Sequence, residues 1–322
     1  MLQRKNGVKI REDIIMYKII AKSALAQDQI KAKLNIGCDG IEIQLCNELL
    51  GPKGIHDWIE IDKIAKLDKF IGKNIVTIHA PILQGESGDP VLEWLVNDSD
   101  VKLLDQIFYI ANFIGEKEDR DIRIVIHSEA SFEMLNHNGQ WPKIVTVVGQ
   151  MLEKYPRTVM CIENVTPIRK ISSGSIIQVS NNFYDDNVKM CKALRKALKT
   201  DSIGVVLDTC HQTITEKYMN LIYALSPHLK IPDYSIDYYM KTYAPYLKII
   251  HLADARDNGY GKNHGIPFTE PEKFNHIMDL ICKYADEDCY ITLEVMEEDY
   301  LFNKNYRKQK QMVDSYFERK TI

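Results

Sequence analysis

The sequence predicts an α/β chain folded as a single (β/α)8 barrel, and three observations carry that prediction. Eight short runs of β-branched and apolar residues recur along the 322 residues. Helix-length amphipathic stretches separate them, which is the pattern of βα units wound around a parallel sheet. No repeat, low-complexity tract or linker divides the chain, so 1–322 reads as one domain with its barrel core at about 18–318. Barrels with long loops fill chains of this length as one unit.

The strands fall near 18–22, 40–45 (GIEIQL), 75–80 (IVTIHA), 122–128 (IRIVIHS), 158–164 (TVMCIEN), 203–209 (IGVVLDT), 247–252 (LKIIHL) and 290–295 (YITLEV). Between them, stretches such as 100–115 (DVKLLDQIFYIANFIG) repeat apolar side chains at three- and four-residue spacing and form the outer helices. A closing helix near 304–318 carries the charge run KNYRKQKQ, read as a solvated outer face. The longest irregular stretches, 81–99, 165–182, 226–236 and 253–270, follow the third, fifth, sixth and seventh strands. Loops of that length in a compact fold usually serve function.

Composition narrows the class. Apolar residues are 45% and charged residues 27%, the balance of an ordinary globular protein. A net charge of −4 gives no general attraction for nucleic acid or anionic membrane. The seven cysteines, at 38, 46, 161, 191, 210, 282 and 289, contain no C-x-x-C pair and are read as reduced thiols. The first twenty residues are interrupted by charges and have no apolar h-region, and no apolar run approaches membrane-spanning length. A cytoplasmic protein is expected, and a homo-oligomer is left open.

Position carries the chemical signal. Six strands each bear one metal-capable side chain near their C-terminal end: His79, His127, Glu163, Asp208, His251 and Glu294. In a barrel those ends converge on one face, where active sites lie. A single strand-end histidine or aspartate often only caps a helix. Three clustered carboxylates are another matter, because burying an ionised carboxylate costs several kcal/mol unless a cation compensates. A divalent metal resolves the conflict, and carboxylate with imidazole suits zinc, manganese or iron without excluding cobalt or magnesium. His211, three residues after Asp208 in LDTCH, and His264, in NGYGKNHG, extend the group as second-metal ligands, substrate contacts or plain loop residues.

GCDGIEI, IVTIHAP, IVIHSEA, CIENV, GVVLDTCH, KIIHLAD and ITLEV, in that order, resemble the strand motifs of the xylose isomerase-like TIM-barrel superfamily over about residues 18–296. That group includes sugar and sugar-phosphate isomerases and epimerases, inosose dehydratases and isomerases, and endonuclease IV. The epimerase pattern implies that Glu163, Asp208, His251 and Glu294 hold the metal and that His211 contacts substrate. The endonuclease IV pattern implies further metal ligands at His79, His127, His211 and His264. Lys262 stands where that pattern has the aspartate of D-x-H, which argues against a full trinuclear cluster.

The leading expectation is a metal-dependent sugar or sugar-phosphate isomerase or epimerase. Its metal would chelate an open-chain ketose or polyol, and Glu163 and Glu294 would move a proton next to the carbonyl. The alternatives are an endonuclease IV-like phosphodiesterase acting on abasic DNA and a non-catalytic barrel that binds a small molecule. Charge around the mouth separates the first two, since a polyanion requires basic residues there. Across 81–100, 128–142, 165–186 and 253–270 lie four basic residues, Arg169, Lys170, Arg256 and Lys262. Twelve acidic residues oppose them: Glu86, Asp89, Glu93, Asp98, Asp100, Glu129, Glu133, Asp185, Asp186, Asp254, Asp257 and Glu270. The count favours a small carbohydrate over nucleic acid and leaves Lys262 to bind one phosphate. Glu42 either faces the site or pairs with a core arginine. Trp94, Trp141 and Phe268 wall a sugar or, more simply, anchor loops. Cys210 is a packed side chain rather than a nucleophile.

Overall fold

The computed structural model describes residues 17–45, 50–51, 54–55, 62–63, 65–67, 69–81, 83–84, 89–90, 98–128, 130–170, 175–178, 180, 183, 185–228, 232–256 and 264–321. Eight parallel strands close into a barrel: β1 (Lys18–Ala24), β2 (Gly40–Gln44), β3 (Ile75–His79), β4 (Ile122–His127), β5 (Thr158–Glu163), β6 (Ile203–Asp208), β7 (Leu247–Leu252) and β8 (Tyr290–Leu293). Each strand pairs with its successor, and β8 returns to β1 through Lys18↔Tyr290 to Ala21↔Leu293. The eight strands expected from the sequence are the eight observed, with ends shifted by a residue or two.

Helices cover the outside of the sheet, so both faces of each strand are buried and the strands read as near-continuous apolar runs. Every residue of β3 and of β6 is buried. The helices are α1 (Gln27–Leu34), α2 (Lys69–Asn74), α3 (Asp98–Glu118), α4 (Phe132–His137), α5 (Trp141–Lys154), α6 (Asp186–Leu198), α7 (Thr209–Leu225), α8 (Ile236–Tyr243), α9 (Pro271–Tyr284) and α10 (Lys304–Thr321). Their packing follows helical spacing: α5 buries Ile144, Val147, Val148 and Met151, and α9 buries Phe274, Ile277, Met278 and Ile281. Each such side chain contributes about 1.5–3 kcal/mol of transfer free energy.

Inside the barrel, Val125, Cys161, Val206 and Ile249 form a small apolar plug. Beneath it the Arg123 guanidinium sits 3.6 Å from the centre of the Tyr290 ring and donates to the carbonyls of Lys248 and Asp288. This seals the end of the barrel away from the strand C-termini. The metal-capable strand-end side chains lie at the other end.

The loops there are less irregular than their composition suggests. Those after β3, β5 and β7 carry antiparallel ladders, Leu83–Gln84 with Asp89–Pro90, Ile168–Lys170 with Ile176–Gln178, and Asp254–Ala255 with His264–Ile266. Among the described residues no helix is long and apolar enough to cross a membrane.

Candidate metal centre

His79, His127, Glu163 and Asp208 are each the last residue of a strand, His251 is the last but one of β7, and Glu294 directly follows β8. Strand register sets His127 beside Glu163 and Asp208 beside His251. All six expected residues therefore meet at one face.

Glu163 is the hub. Its Oε2 lies 3.1 Å from His79 Nε2 and 3.1 Å from His127 Nε2. Its Oε1 lies 3.3 Å from His251 Nδ1 and 3.4 Å from His211 Nδ1. Asp208 serves two structures at once: it is the N-cap of α7, its Oδ1 accepting the His211 amide at 2.7 Å. The cap fixes the carboxylate and leaves Oδ2 buried without a hydrogen bond, 3.6 Å from His211 Nδ1 and 4.0 Å from His251 Nδ1. Asn164 locks the strand end, donating to the Asp208 carbonyl at 3.0 Å and accepting the Asp208 amide at 2.6 Å. His264 completes the group, its ring 4.8 Å from that of His211. Gly265, at φ +67, accepts the Met296 amide at 2.7 Å and so ties the loop after β7 to the Glu294 strand end.

Backbone groups fix two of the imidazoles. His79 Nδ1 is 2.8 Å from the Ala80 carbonyl, and His211 Nδ1 is 2.8 Å from the Asn164 carbonyl. A carbonyl only accepts, so each Nδ1 carries a proton, and in the neutral ring it is Nε2 that has the lone pair.

The cluster is charge-dense and nearly dry. Burial pushes Asp208 up to about 6, with Glu294 and Glu163 adding to the rise and His211 opposing it. Burial alone would also raise Glu163, but His251 and His127 outweigh it and hold it well below its ordinary value. For His251 burial lowers the value, yet Glu42, Glu163 and Glu294 together lift it well above. His211 follows the same logic, burial opposed by Asp208 and Glu163, and rises to about 9. His264 falls to about 4 through burial and the neighbouring His211.

These residues suit divalent metals. Asp208 Oδ2 is an orphaned buried anion, which a protein rarely tolerates without a cation. Donor atoms lie within 4.8 Å of one another in four groups, Glu42, His79 and His251 being one and the other three abutting in a row: His79, His127 and Glu163; Glu163, Asp208, His251 and Glu294; Asp208, His211 and His264. In that row Glu163 joins the first group to the second, and Asp208 the second to the third.

Two further site residues emerge. Glu42 faces the site: its Oε2 is 3.1 Å from His251 Nε2, and no arginine pairs with it among the described residues. Lys22 escaped the sequence reading; its Nζ is 2.6 Å from Glu294 Oε1. The only signal was a lysine at the end of an apolar run. Lys262 lies outside the described residues, as does Trp94. Trp141 packs edge-on against Phe132 at 4.8 Å and Phe268 against Phe274 at 5.5 Å, so both anchor local structure. Cys210 is buried, its thiol held well above its ordinary value by burial and Asp208, and it accepts the Gly265 amide at 3.3 Å. That is the packed role expected.

The acidic rim does not hold as an argument against nucleic acid. Asp186 is buried and accepts the amides of Phe132 and Phe183 at 3.0 and 2.7 Å. Asp254 is buried against Lys273 at 2.6 Å, and Asp185 pairs with Lys189 at 3.1 Å. Glu133 and Glu270 are exposed; the remaining acids of the count lie outside the described side chains. Helices also contribute cations that a loop count omits. Lys217 of α7 and Lys273 of α9 join Arg256 around a cavity of about 200 Å3 that Thr213 and Glu270 also line.

No protein-family model matches the sequence. A probable endonuclease 4 of Mycoplasma genitalium is 23% identical over 262 residues, covering 77% of this chain and 76% of that protein. Endonuclease IV of Thermus thermophilus superposes with a TM-score of 0.52 at 15% identity, over 92% of this chain and 99% of that one. The 3-keto-D-glucoside 4-epimerase YcjR of E. coli superposes with a TM-score of 0.53 at 14% identity, over 93% and 100%. Those two structural likenesses are of fold. Sequence motifs, barrel and relatives agree: in fold and in the order of its strand motifs the chain resembles the xylose isomerase-like TIM-barrel superfamily.

Proposed function

We propose that this protein is a metal-dependent phosphodiesterase of the endonuclease IV type, acting on DNA at abasic sites. One observation carries the reading: three donor groups joined through Glu163 and Asp208. A carbonyl-proton-transfer enzyme needs one metal, and Glu163, Asp208, His251 and Glu294 already supply four donors for it. With His211 left to contact substrate, His79, His127 and His264 would then be three buried or half-buried imidazoles with no task. Adjacent metals clamping the attacking and leaving oxygens are the mark of phosphoryl chemistry. The likeness to a protein named probable endonuclease 4 supports the same assignment.

Cations held by these groups would offset charge on the phosphoryl oxygens and acidify a water. The chain's own residues do the rest. Glu163 offers one oxygen to each of two neighbouring groups. Asp208 does so with its uncapped Oδ2. His264, its value low, is neutral near pH 7 and offers a lone pair. Lys217 and Arg256 suit the flanking phosphates of a backbone. The third group has three donors rather than four if Lys262 contributes none.

A second reading remains, favoured by the completeness of the Glu163, Asp208, His251 and Glu294 set: an isomerase or epimerase in which Glu163 and Glu294 exchange a proton beside a carbonyl. One pair of assays separates the two. Zinc- or manganese-loaded protein is expected to incise a duplex carrying a single abasic site, with strong salt sensitivity. It is expected to leave ketoses and inososes unexchanged in deuterated water. Metal-dependent exchange without incision would reverse the ranking.

A further inference from the structure

Four side chains close a ring of alternating charge on the β1, β2, β7 and β8 side of the barrel. Lys22 Nζ lies 2.6 Å from Glu294 Oε1. Glu294 Oε2 lies 2.6 Å from His251 Nδ1. His251 Nε2 faces Glu42 Oε2 at 3.1 Å, and Glu42 Oε1 returns to Lys22 Nζ at 3.9 Å. His251 and Glu42 are fully buried, and the Thr292 hydroxyl donates to Glu42 Oε2 at 3.4 Å. Two of the four belong to the proposed ligand set; Lys22 and Glu42 do not.

We propose that Glu42 and Lys22 are positioning residues that decide which atom of His251 and which oxygen of Glu294 face the metal. The inference rests on the metal-centre reading above. A neutral imidazole carries one ring proton; with a cation drawn to Glu163 and Glu294 on the Nδ1 side, that proton sits on Nε2, where Glu42 accepts it, and the Nδ1 lone pair faces the cation. Glu42 is the acceptor at Nε2, so without it the ring loses what holds its tautomer on that side. Lys22 acts on the other ligand. Its ammonium occupies Glu294 Oε1 and leaves Oε2 as the coordinating oxygen. It also keeps Glu42 from becoming a ligand itself. Glu42, His79 and His251 bring donor atoms within 4.8 Å of one another, but an ammonium 3.9 Å from Glu42 repels a cation from that corner. The imidazoles of His79 and His211 are held by backbone carbonyls, which tolerate substitution nearby. At Nε2 His251 instead meets a side chain from another strand, Glu42, and that side chain is replaceable.

The test uses the full chain stripped of metal and titrated with Zn2+ and Co2+ against a chromophoric chelator. Glu42→Gln keeps the shape and removes the charge. It is expected to weaken the tightest binding step by about 10–100-fold and to alter the visible spectrum of the Co2+ form. Lys22→Gln is expected to weaken the same step, with Lys22→Arg restoring part of the loss; these variants carry the test if Glu42→Gln does not fold. Wild-type affinity and an unchanged Co2+ spectrum in folded Glu42→Gln and Lys22→Gln would overturn the inference and leave the metal centre standing. So would equal losses in Glu42→Gln and His79→Ala with none in Asp208→Asn, which would make Glu42 a ligand. Failure of the wild type to take up either metal would overturn the metal centre, and the inference with it.

Discussion

Two lysines with little exposure, eleven residues apart in sequence, meet opposite electrostatic fates. Lys22, at the end of β1, has Glu294 at 2.6 Å and Glu42 at 3.9 Å. Burial alone would lower it, but these acids, with Glu163 beyond them, hold it above its ordinary value. Lys33, on α1, is fully buried with no hydrogen bond on Nζ, which lies 4.2 Å from the Tyr306 ring centre and 5.0 Å from that of Tyr300. Burial brings it down to about 8, with Glu297 opposing. One barrel thus keeps a charged lysine where carboxylates are in excess and strains against another where aromatic faces surround it and Glu297 does not outweigh burial. The difference measures how much negative charge the metal centre gathers.

The largest expected effect comes from breaking the better-paired lysine. Lys22→Met strands Glu294 and Glu42 opposite one imidazole and is expected to cost the metal-free protein about 3 kcal/mol in urea unfolding. Added Zn2+ is expected to recover much of the loss. Equal losses with and without metal would mean that Lys22 answers to packing rather than to the carboxylates. Next, Glu163→Gln removes the acid shared by two donor groups. It is expected to reduce metal affinity by more than about 100-fold, read by elemental analysis after dialysis, and to abolish incision. Full metal content in that variant would deny Glu163 its place at the hub.

Lys33→Met has the opposite sign. Because the folded value, about 8, lies below the unfolded one at 10.5, the folded chain binds fewer protons between those limits, and wild-type stability rises with pH across them. The substitution is therefore expected to stabilise by about 1–3 kcal/mol below pH 8, the gain fading toward pH 10.5. A gain that does not change with pH would assign the effect to packing alone. The smallest change joins the two lysines. Tyr306 places its ring over Lys33 and donates its hydroxyl to the Lys22 carbonyl at 2.8 Å. Tyr306→Phe keeps the ring and is expected to cost about 1 kcal/mol.

What the sequence disclosed follows the physics of each feature. Strand-end positions were legible because a buried parallel strand writes itself as an apolar run, and the residue that ends the run names its own place on the barrel mouth. Glu163 and Asp208 could be read that way. Glu42 was visible but undecided, since a carboxylate inside a strand does not reveal which neighbour meets it. Lys22 was missed because its partner stands 272 positions away and only ring closure of β1 onto β8 joins them. The rim was misjudged for a related reason: Asp186 and Asp254 spend their charge on amides and on Lys273, while Lys217 lines the cavity beside Arg256 from a helix. Counting loop residues sees neither.

The helix cap at Asp208 turns the first turn of α7 into a recorder of site occupancy. The His211 amide proton is held by Oδ1 of the same carboxylate whose Oδ2 faces the centre. Exposing that proton to solvent requires the carboxylate to swing away, and a cation drawn to Oδ2 opposes the swing. Local opening and ligand occupancy are then linked by mass action. Deuterium uptake at 209–213 is expected to slow when metal is added and to quicken when a chelator removes it, in the absence of any substrate. Backbone exchange at one helix terminus would then report on chemistry at the heart of the barrel.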